Sequence, residues 1–381
     1  MRNTAPVLRH LGEFIDECDE RNEGGLYSEK DLLGVNNRQE FCTTRANTNG
    51  IDFHPYKVVR KNDFVYNPAR LDIGSIAKFN GDACIVSTLY EVFRIRADKQ
   101  DELLSEFLQV YFARTEFARY VGFKNWGSAR EYFWIDSMKR TPIPVPPLPV
   151  QRKVVETWQG LRRMKDENEK LVEPLMQLCR SYLQDCKKKY AMKEIGPYIA
   201  ERNERNDGLM FGADDVRGLS TNKALIKTVA NLEGVSLSGY KVVHAHDFAY
   251  VSDTSRRGNK VSYGFNDGDA TYLVSSISTV FEVENKSELD AGFLDLWLCR
   301  PEFDRYARFN SWGSARETFS WADMCRVKIP LPPIEVQRAI VDVYHCANEA
   351  KKIAEEADRL SREICPALVL YAAESKEGET K

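Results

Sequence analysis

The sequence predicts an α+β protein made of two tandem homologous α/β units, each followed by a long helix, with the two helices paired as an antiparallel coiled coil. Three observations predict it. One block of residues occurs twice at a fixed offset, the same order of strand-like and helical runs precedes it each time, and sustained heptad spacing follows it.

The repeated block begins Trp126-Gly127-Ser128-Ala129-Arg130-Glu131 and runs through Pro144, Pro146 and Pro147 to Gln151-Arg152. It returns 186 residues later, from Trp312 to Arg338, with 16 of 27 positions identical. Upstream, Tyr56-Lys57-Val58-Val59 returns as Tyr240-Lys241-Val242-Val243, and Asp63-Phe64-Val65-Tyr66 as Asp247-Phe248-Ala249-Tyr250. A period this long exceeds any solenoid repeat, so each copy holds a whole domain.

Within the first copy, strand-like runs cover Tyr56 to Val59, Asp63 to Asn67 and Ala83 to Ile95. A helical pattern follows from Asp101 to Tyr120, with Leu103, Leu104, Phe107, Leu108, Tyr111 and Phe112 on one face. The second copy repeats the order at Tyr240 to Val243, Asp247 to Val251 and Ala270 to Val283, then a helix from Leu289 toward Tyr306.

A proline strip closes each copy, at Pro142 to Pro147 and Ile329 to Pro333. Proline fixes φ and drives its predecessor to extended geometry, so each strip reads as a stiff connector. Beyond it lie the heptad helices. Val154, Trp158, Leu161, Lys165, Asn168, Val172, Leu175, Cys179, Tyr182 and Cys186 form one seam. Val336, Ile340, Val343, Ala347, Ala350, Ala354, Ala357, Ser361, Ile364, Leu368 and Tyr371 form the other. A helix of ~40 residues is ~60 Å long, more than a small domain can cover, which favours pairing of the two. Pro174 and Pro366 are expected to kink or interrupt them. The expected boundaries are 1–149 and 191–334 for the units, 150–190 and 335–375 for the helices, and 376–381 for a frayed tail.

Composition sets the class. Hydrophobic residues at 43% and charged residues at 29% describe an ordinary globular chain. The nine cysteines are scattered and contain no C-x-x-C pair, which favours a reducing compartment over a disulfide framework or a zinc site. Residues 1 to 16 lack the apolar stretch of a signal peptide, and no run reaches the ~18 apolar residues of a membrane span. A soluble cytoplasmic protein with no membrane partner is expected. Net charge is −3, so a phosphate-binding face would have to be local.

The candidate binding residues fall into two groups. Lys124, Ser128, Arg130, Ser314 and Arg316 belong to the repeated block, where arginine and serine suit phosphate; the alternative is a purely structural turn. Tyr66, Asn67, Arg70 and Lys78 in the first copy, and Arg256, Arg257 and Lys260 in the second, lie in polar, basic loops that differ between the copies. Asparagine and arginine are the side chains that pair with adenine and guanine edges, so these loops suit sequence readout; a merely solvated loop is the alternative. Chemistry is thinly represented. Asp269, Glu284 and Lys286 loosely imitate a nuclease metal site that the first copy lacks. His244-Ala245-His246-Asp247 has metal-ligand types, but alternation along a strand accounts for its spacing. No phosphate loop or dinucleotide fingerprint occurs. Neither catalysis, a metal nor a cofactor is expected of this chain.

At these residues the chain resembles the specificity subunit of a type I restriction-modification system. The resemblance rests on the Tyr66-to-Ser75 run, on the Ile-Pro-x-Pro-Pro-x-x-x-Gln-Arg blocks at 143–152 and 329–338, and on the long helix after each block. The second copy departs from it with Val251-Ser252-Asp253 where the first has Asn67-Pro68-Ala69, and Pro149 stands where the second copy has Glu335. The resemblance implies two target recognition domains, each reading one half of a bipartite site in double-stranded DNA, with the helices setting the gap. It implies partners as well: two adenine-N6 methyltransferase subunits, which hold S-adenosylmethionine, and two ATP-dependent restriction subunits. The rival readings are the recognition part of another restriction-methylation system, a metal-dependent nuclease, and a coiled-coil adaptor that never touches DNA.

Overall fold

A computed structural model describes residues 8–44, 47–125, 132–253, 260–313 and 317–374, with the side chains of 125, 366 and 370–374 excepted. It is α+β, and the chain divides into two compact units: residues 1–169 with 352–381, and residues 170–351.

The first unit contains strands β1 (Leu8–His10), β2 (Ile15–Glu17), β3 (Leu33–Val35), β4 (Phe41–Thr43), β5 (Lys57–Arg60), β6 (Phe64–Tyr66), β7 (Ile76–Lys78), β8 (Ala83–Val86), β9 (Glu91–Ile95) and β10 (Pro142–Pro144). Helices α1 (Ser105–Phe112), α2 (Thr115–Asn125) and α3 (Ile135–Lys139) precede β10, and α4 (Leu148–Lys189) follows it. The main sheet has the order β2-β9-β6-β7, flanked by the pairs β5-β8, β3-β4 and β1-β10. Both faces of that sheet are covered. Phe64, Tyr66 and Phe93 pack with α1 and α2 residues such as Phe107, Phe112 and Phe117, while Val65, Ala77 and Val92 pack with Val59 and Val86. Strand side chains alternate, so burial on both faces produces an unbroken apolar run such as Phe-Val-Tyr.

The second unit repeats the plan. Its strands are β11 (Met192–Glu194), β12 (Ile199–Arg202), β13 (Arg217–Leu219), β14 (Leu225–Lys227), β15 (Lys241–Val243), β16 (Phe248–Val251), β17 (Tyr263–Phe265), β18 (Tyr272–Val274), β19 (Ser278–Val283) and β20 (Lys328–Pro330). Helices α5 (Ala291–Leu298), α6 (Pro301–Phe309), α7 (Trp321–Cys325) and α8 (Ile334–Glu374) complete it. The sheet order β12-β19-β16-β17 reproduces the first unit's, with pairs β15-β18, β13-β14 and β11-β20. Phe248 stacks on Phe281 at 4.8 Å as Phe64 stacks on Phe93 at 5.2 Å.

Several local expectations change. The run from Ala83 to Ile95 is two strands, because a turn in which Tyr90 N–H donates to Ser87 O (3.0 Å) sends β8 and β9 into different sheets. Ser275 breaks the equivalent run in the second unit, accepting from Ser278 N–H at 2.9 Å. The single helix expected from Asp101 to Tyr120 is two helices parted at Ala113–Arg114, and in the second unit Pro301 opens the later one. Each proline strip opens in a strand, Pro142–Pro144 paired with Leu8–His10 and Lys328–Pro330 paired with Met192–Glu194. Pro174 does not interrupt α4, which is assigned as one helix throughout.

The long helices meet within each unit. In the first, Val154, Val155 and Trp158 share a core with Cys365 and Val369 of α8. Trp158 faces Cys365 and Lys165 pairs with Asp358 at 3.6 Å, so seven residues forward in α4 are seven back in α8, an antiparallel register. In the second, Cys179, Leu183 and Cys186 pack with Ile340 and Val341. Leu183 rather than Tyr182 fills that seam position, since Tyr182 is exposed. Ala347, Ala350, Ala354, Ala357 and Ser361 are all buried, as a close-packed small-residue seam requires.

Candidate nucleic-acid interface

In each unit one backbone hydrogen bond joins the loop that differs between the copies to the block that does not. After β6 the chain turns through Asn67–Arg70, with the Asn67 carboxamide oxygen accepting from Ala69 N–H at 3.0 Å. Asn67 N–H donates to Ser75 O and Ser75 N–H to Arg70 O, at 3.0 and 3.1 Å, closing the loop. Gly74 takes φ 93° there, a conformation open mainly to glycine. Pro68 O then accepts from Phe133 N–H at 2.9 Å, and Phe133, within the repeated block, is buried.

The second unit repeats the junction with different residues. Ser252 O accepts from Phe319 N–H at 2.8 Å, and Phe319 is buried as Phe133 is. Thr318 bridges both to Trp312 and to Asp253, which flanks the variable loop. The constant segment therefore seats a changeable loop on the same anchor twice.

The predicted residues divide on this frame. Arg70 is exposed, with no hydrogen bond or ion pair of its guanidinium among the described residues, and Asn67 is half-buried with its carboxamide oxygen engaged in the turn. Lys124 and Lys260 are exposed, and Lys124 Nζ lies 5.7 Å from the Tyr120 ring centre. Tyr66 is fully buried in the aromatic core, and burial raises its phenol well above its ordinary pKa; it cannot reach a groove. Lys78 is also buried, its ammonium bonded to Glu106 Oε1 at 2.5 Å and Ser105 Oγ at 3.2 Å. Burial pulls the Glu106 carboxyl upward, but the Lys78 bond prevails and leaves it below its usual range. Tyr66 and Lys78 thus hold the fold together rather than face a ligand. Ser128, Arg130, Arg256, Arg257, Ser314 and Arg316 lie outside the described residues.

Sequence reasoning noted Trp312 in the repeated block but passed over the other aromatic side chains beside these junctions. Trp134 is 51% exposed and stacks on Tyr132 at 5.0 Å, either side of the anchoring Phe133. Trp312 is 67% exposed, and Phe123 and Phe309, equivalent in the two copies, are 72% and 79% exposed. Large apolar groups held in water beside cations are what a nucleic-acid surface uses for stacking. A signal existed for Phe123, which adjoins Lys124 in the last, polar turn of α2.

Other basic residues near the block are already engaged. Arg119 pairs with Glu116, Lys139 with Glu17, Arg308 with Glu317 and Arg326 with Asp323. His244 to Asp247 is a turn rather than a strand: His246 has φ 64°, as Asn62 has φ 72° at the matching place. His244 bonds Glu204 at 2.8 Å, while Asp247 is buried against Arg202 at 3.1 Å, and burial raises its carboxyl pKa. Asp63 is buried against Arg94 in the first unit in the same way. Among the described residues no three His, Cys, Asp or Glu side chains cluster to hold a metal, Asp269 and Glu284 included. No helix among them is long and apolar enough to cross a membrane.

These features define a two-unit α+β chain with one loop-and-anchor junction per unit. No family model matches the sequence, and no curated protein matches it. Solved structures do. The S subunit of a type I restriction-modification system from M. genitalium aligns over 99% of this chain and 98% of its own, with a TM-score of 0.59 at 12% identity. The HsdS subunit from Thermoanaerobacter tengcongensis aligns over 98% of this chain and 97% of its own, with a TM-score of 0.42 at 15% identity. A chain from a study of complex assembly in the type I R-M system covers 97% of this chain and 99% of its own, also with a TM-score of 0.42 at 15% identity. The chain has the fold of a type I restriction-modification specificity subunit.

Proposed function

We propose that this chain is a specificity subunit that reads DNA without reacting on it. Each unit reads one half of a bipartite site, using the loop after β6 in one case and the loop after β16 in the other. The observation that carries the reading is the doubled junction, Pro68 to Phe133 and Ser252 to Phe319. Two loops of different sequence on one scaffold can specify two different half-sites, and a bipartite site is longer than either reader covers alone. The constant block and the helices α4 and α8 then offer the same docking chemistry to two copies of one methyltransferase subunit, with restriction subunits added to that assembly. The recognition part of another restriction-methylation system would present the same surface to a different catalytic partner.

Replacing residues 1–149 by another unit of this type and mapping methylation in the assembled complex tests the reading. One half-site should change and the other persist; a map altered in both halves would refute it. Removing one heptad from each of α4 and α8 should shorten the unread gap between half-sites.

A further inference from the structure

One short helix of the second unit, α6, holds both ends of the loop that follows β16. Its Phe303 packs on the anchor Phe319, ring centres 6.0 Å apart, and Phe319 N–H donates to Ser252 O where the loop begins. Its Asp304 accepts the N–H of Val261, where the loop ends, at 2.9 Å. The same carboxylate pairs with Lys223, in the turn between β13 and β14, and the Lys223 ammonium donates to Val261 O at 3.1 Å. Both backbone polar groups of Val261 are thus gripped by the two members of one ion pair. Val261 is buried, and the Lys223 and Asp304 side chains are only 8% and 12% exposed, so salt screens this pair far less than one at the surface.

The first unit closes its loop differently. Nine residues separate the paired Tyr66 and Ile76, against twelve between the paired Tyr250 and Tyr263. The shorter loop is closed from within, Gly74 N–H donating to Leu71 O at 3.0 Å and Ser75 N–H to Arg70 O at 3.1 Å. Where the second unit has Lys223 and Asp304, the first has Gln39 and Ala118. Gln39 takes the same left-handed turn position, φ 63° against 64° for Lys223, yet its side-chain amide donates to Phe112 O at the end of α1, at 3.0 Å. The ion pair is therefore peculiar to the second unit and accompanies the longer loop.

We propose that Asp304 and Lys223 are positioning residues for the second unit's recognition loop, fixing its exit at Val261 so that reading of the second half-site alone depends on them. The inference rests on the reading of that loop as a recognition element. Both side chains act through Val261 rather than on DNA. A loop held at entry and exit has less freedom left to lose when it binds, which is what preorganisation supplies.

Methylation mapping with the full chain in the assembled complex tests it, and amide exchange over residues 261–263 adds a readout that needs no DNA. In D304A that exchange should quicken about tenfold or more, as loss of a hydrogen bond to a charged acceptor implies. Discrimination at the second half-site should fall by about tenfold while the first half-site persists. In D304N the carboxamide oxygen can still accept from Val261 N–H, and most of the discrimination should return. K223Q installs the first unit's residue in a turn that already accommodates it, gives up the bond to Val261 O, and should loosen the same half-site by a smaller factor. General destabilisation would not single out one half. A second half-site unchanged in both D304A and K223Q, or two half-sites blurred to the same extent, would overturn the proposal. A wild-type complex that maps to no bipartite site would instead overturn the reading of the loops, and the positioning role with it, whatever the exchange rates.

Discussion

The side-chain carbonyl of Gln151 accepts the backbone N–H of Leu104 at 2.9 Å, at the residue that caps α1. Its amide group donates to Glu102 O and Pro146 O, each at 2.7 Å. Gln337 repeats all three bonds, with Asp290 N–H at 2.9 Å, Glu288 O at 2.7 Å and Pro332 O at 2.8 Å. Both glutamines are fully buried. A repeated polar residue just past a proline strip invites a docking role, yet here it locks the strip to the helix behind it.

Gln151→Ala should therefore destabilise the protein without touching a binding surface. It strands one buried N–H and two carbonyls, a loss of about 2–4 kcal/mol when several such groups go unpaired together. Gln337→Ala should do the same in the second unit. Urea unfolding measures both, and a loss below about 1 kcal/mol would show that water replaces the side chain.

The duplicated order of elements, the α+β class and the long helices were legible because they rest on repeated patterns of apolar spacing. Individual roles were less legible. Tyr66 and Lys78 have the composition of a binding loop, but sequence carries no sign that Glu106, 28 residues on, claims the lysine. The split of the helix at Ala113 was hidden because both pieces present apolar faces to one core. Exposure of Phe123 and Phe309 depends on where each helix ends, which periodicity alone does not fix.

Arg70 and Lys78 form a matched pair for mutagenesis. Arg70→Ala should weaken binding of site-containing duplex DNA and lower the slope of log affinity against log salt by about one, as loss of one phosphate contact does. If Arg70 instead meets a guanine edge, discrimination at one base pair falls by about 1–3 kcal/mol while the slope holds. Lys78→Ala should lower the unfolding free energy and leave both binding measures alone. Gel-shift titrations across salt with both variants decide it, and a normal slope and specificity for Arg70→Ala would remove that residue from the interface.

The exposed tryptophans make a separate prediction. Stacking on a base is worth about 1–3 kcal/mol and depends little on sequence. Trp134→Ala and Trp312→Ala should each reduce DNA affinity by an amount in that range while half-site preference persists, and Trp→Phe should restore part of the loss. Fluorescence of 2-aminopurine placed along the site would report the contact directly. Unchanged DNA affinity with impaired recruitment of the methyltransferase subunit would reassign both side chains to a protein interface.

Asp295 on α5 predicts a pH dependence confined to the second unit. Burial raises its carboxyl pKa to about 6, against the effect of hydrogen bonds from the Tyr263 hydroxyl at 2.5 Å and the Cys299 thiol at 3.4 Å. The folded chain thus holds this proton more tightly than the unfolded chain, whose carboxyl titrates near the ordinary value of 3.8. Proton uptake on folding favours the native state at low pH, and that contribution disappears as pH rises from about 4 through about 6. Two pKa units correspond to about 3 kcal/mol, and partial solvent access to the residue reduces the expectation to about 1–2 kcal/mol. The first unit has the uncharged Gln109 at this position. Asp295→Asn should match wild type in stability at pH 4 and exceed it by that margin at pH 8, because the carboxamide can still accept from Tyr263. Urea melts of the two proteins at both pH values measure the difference directly, so the other titrating groups cancel, and equal stability at pH 8 would show that the ionised carboxylate is already compensated in the fold.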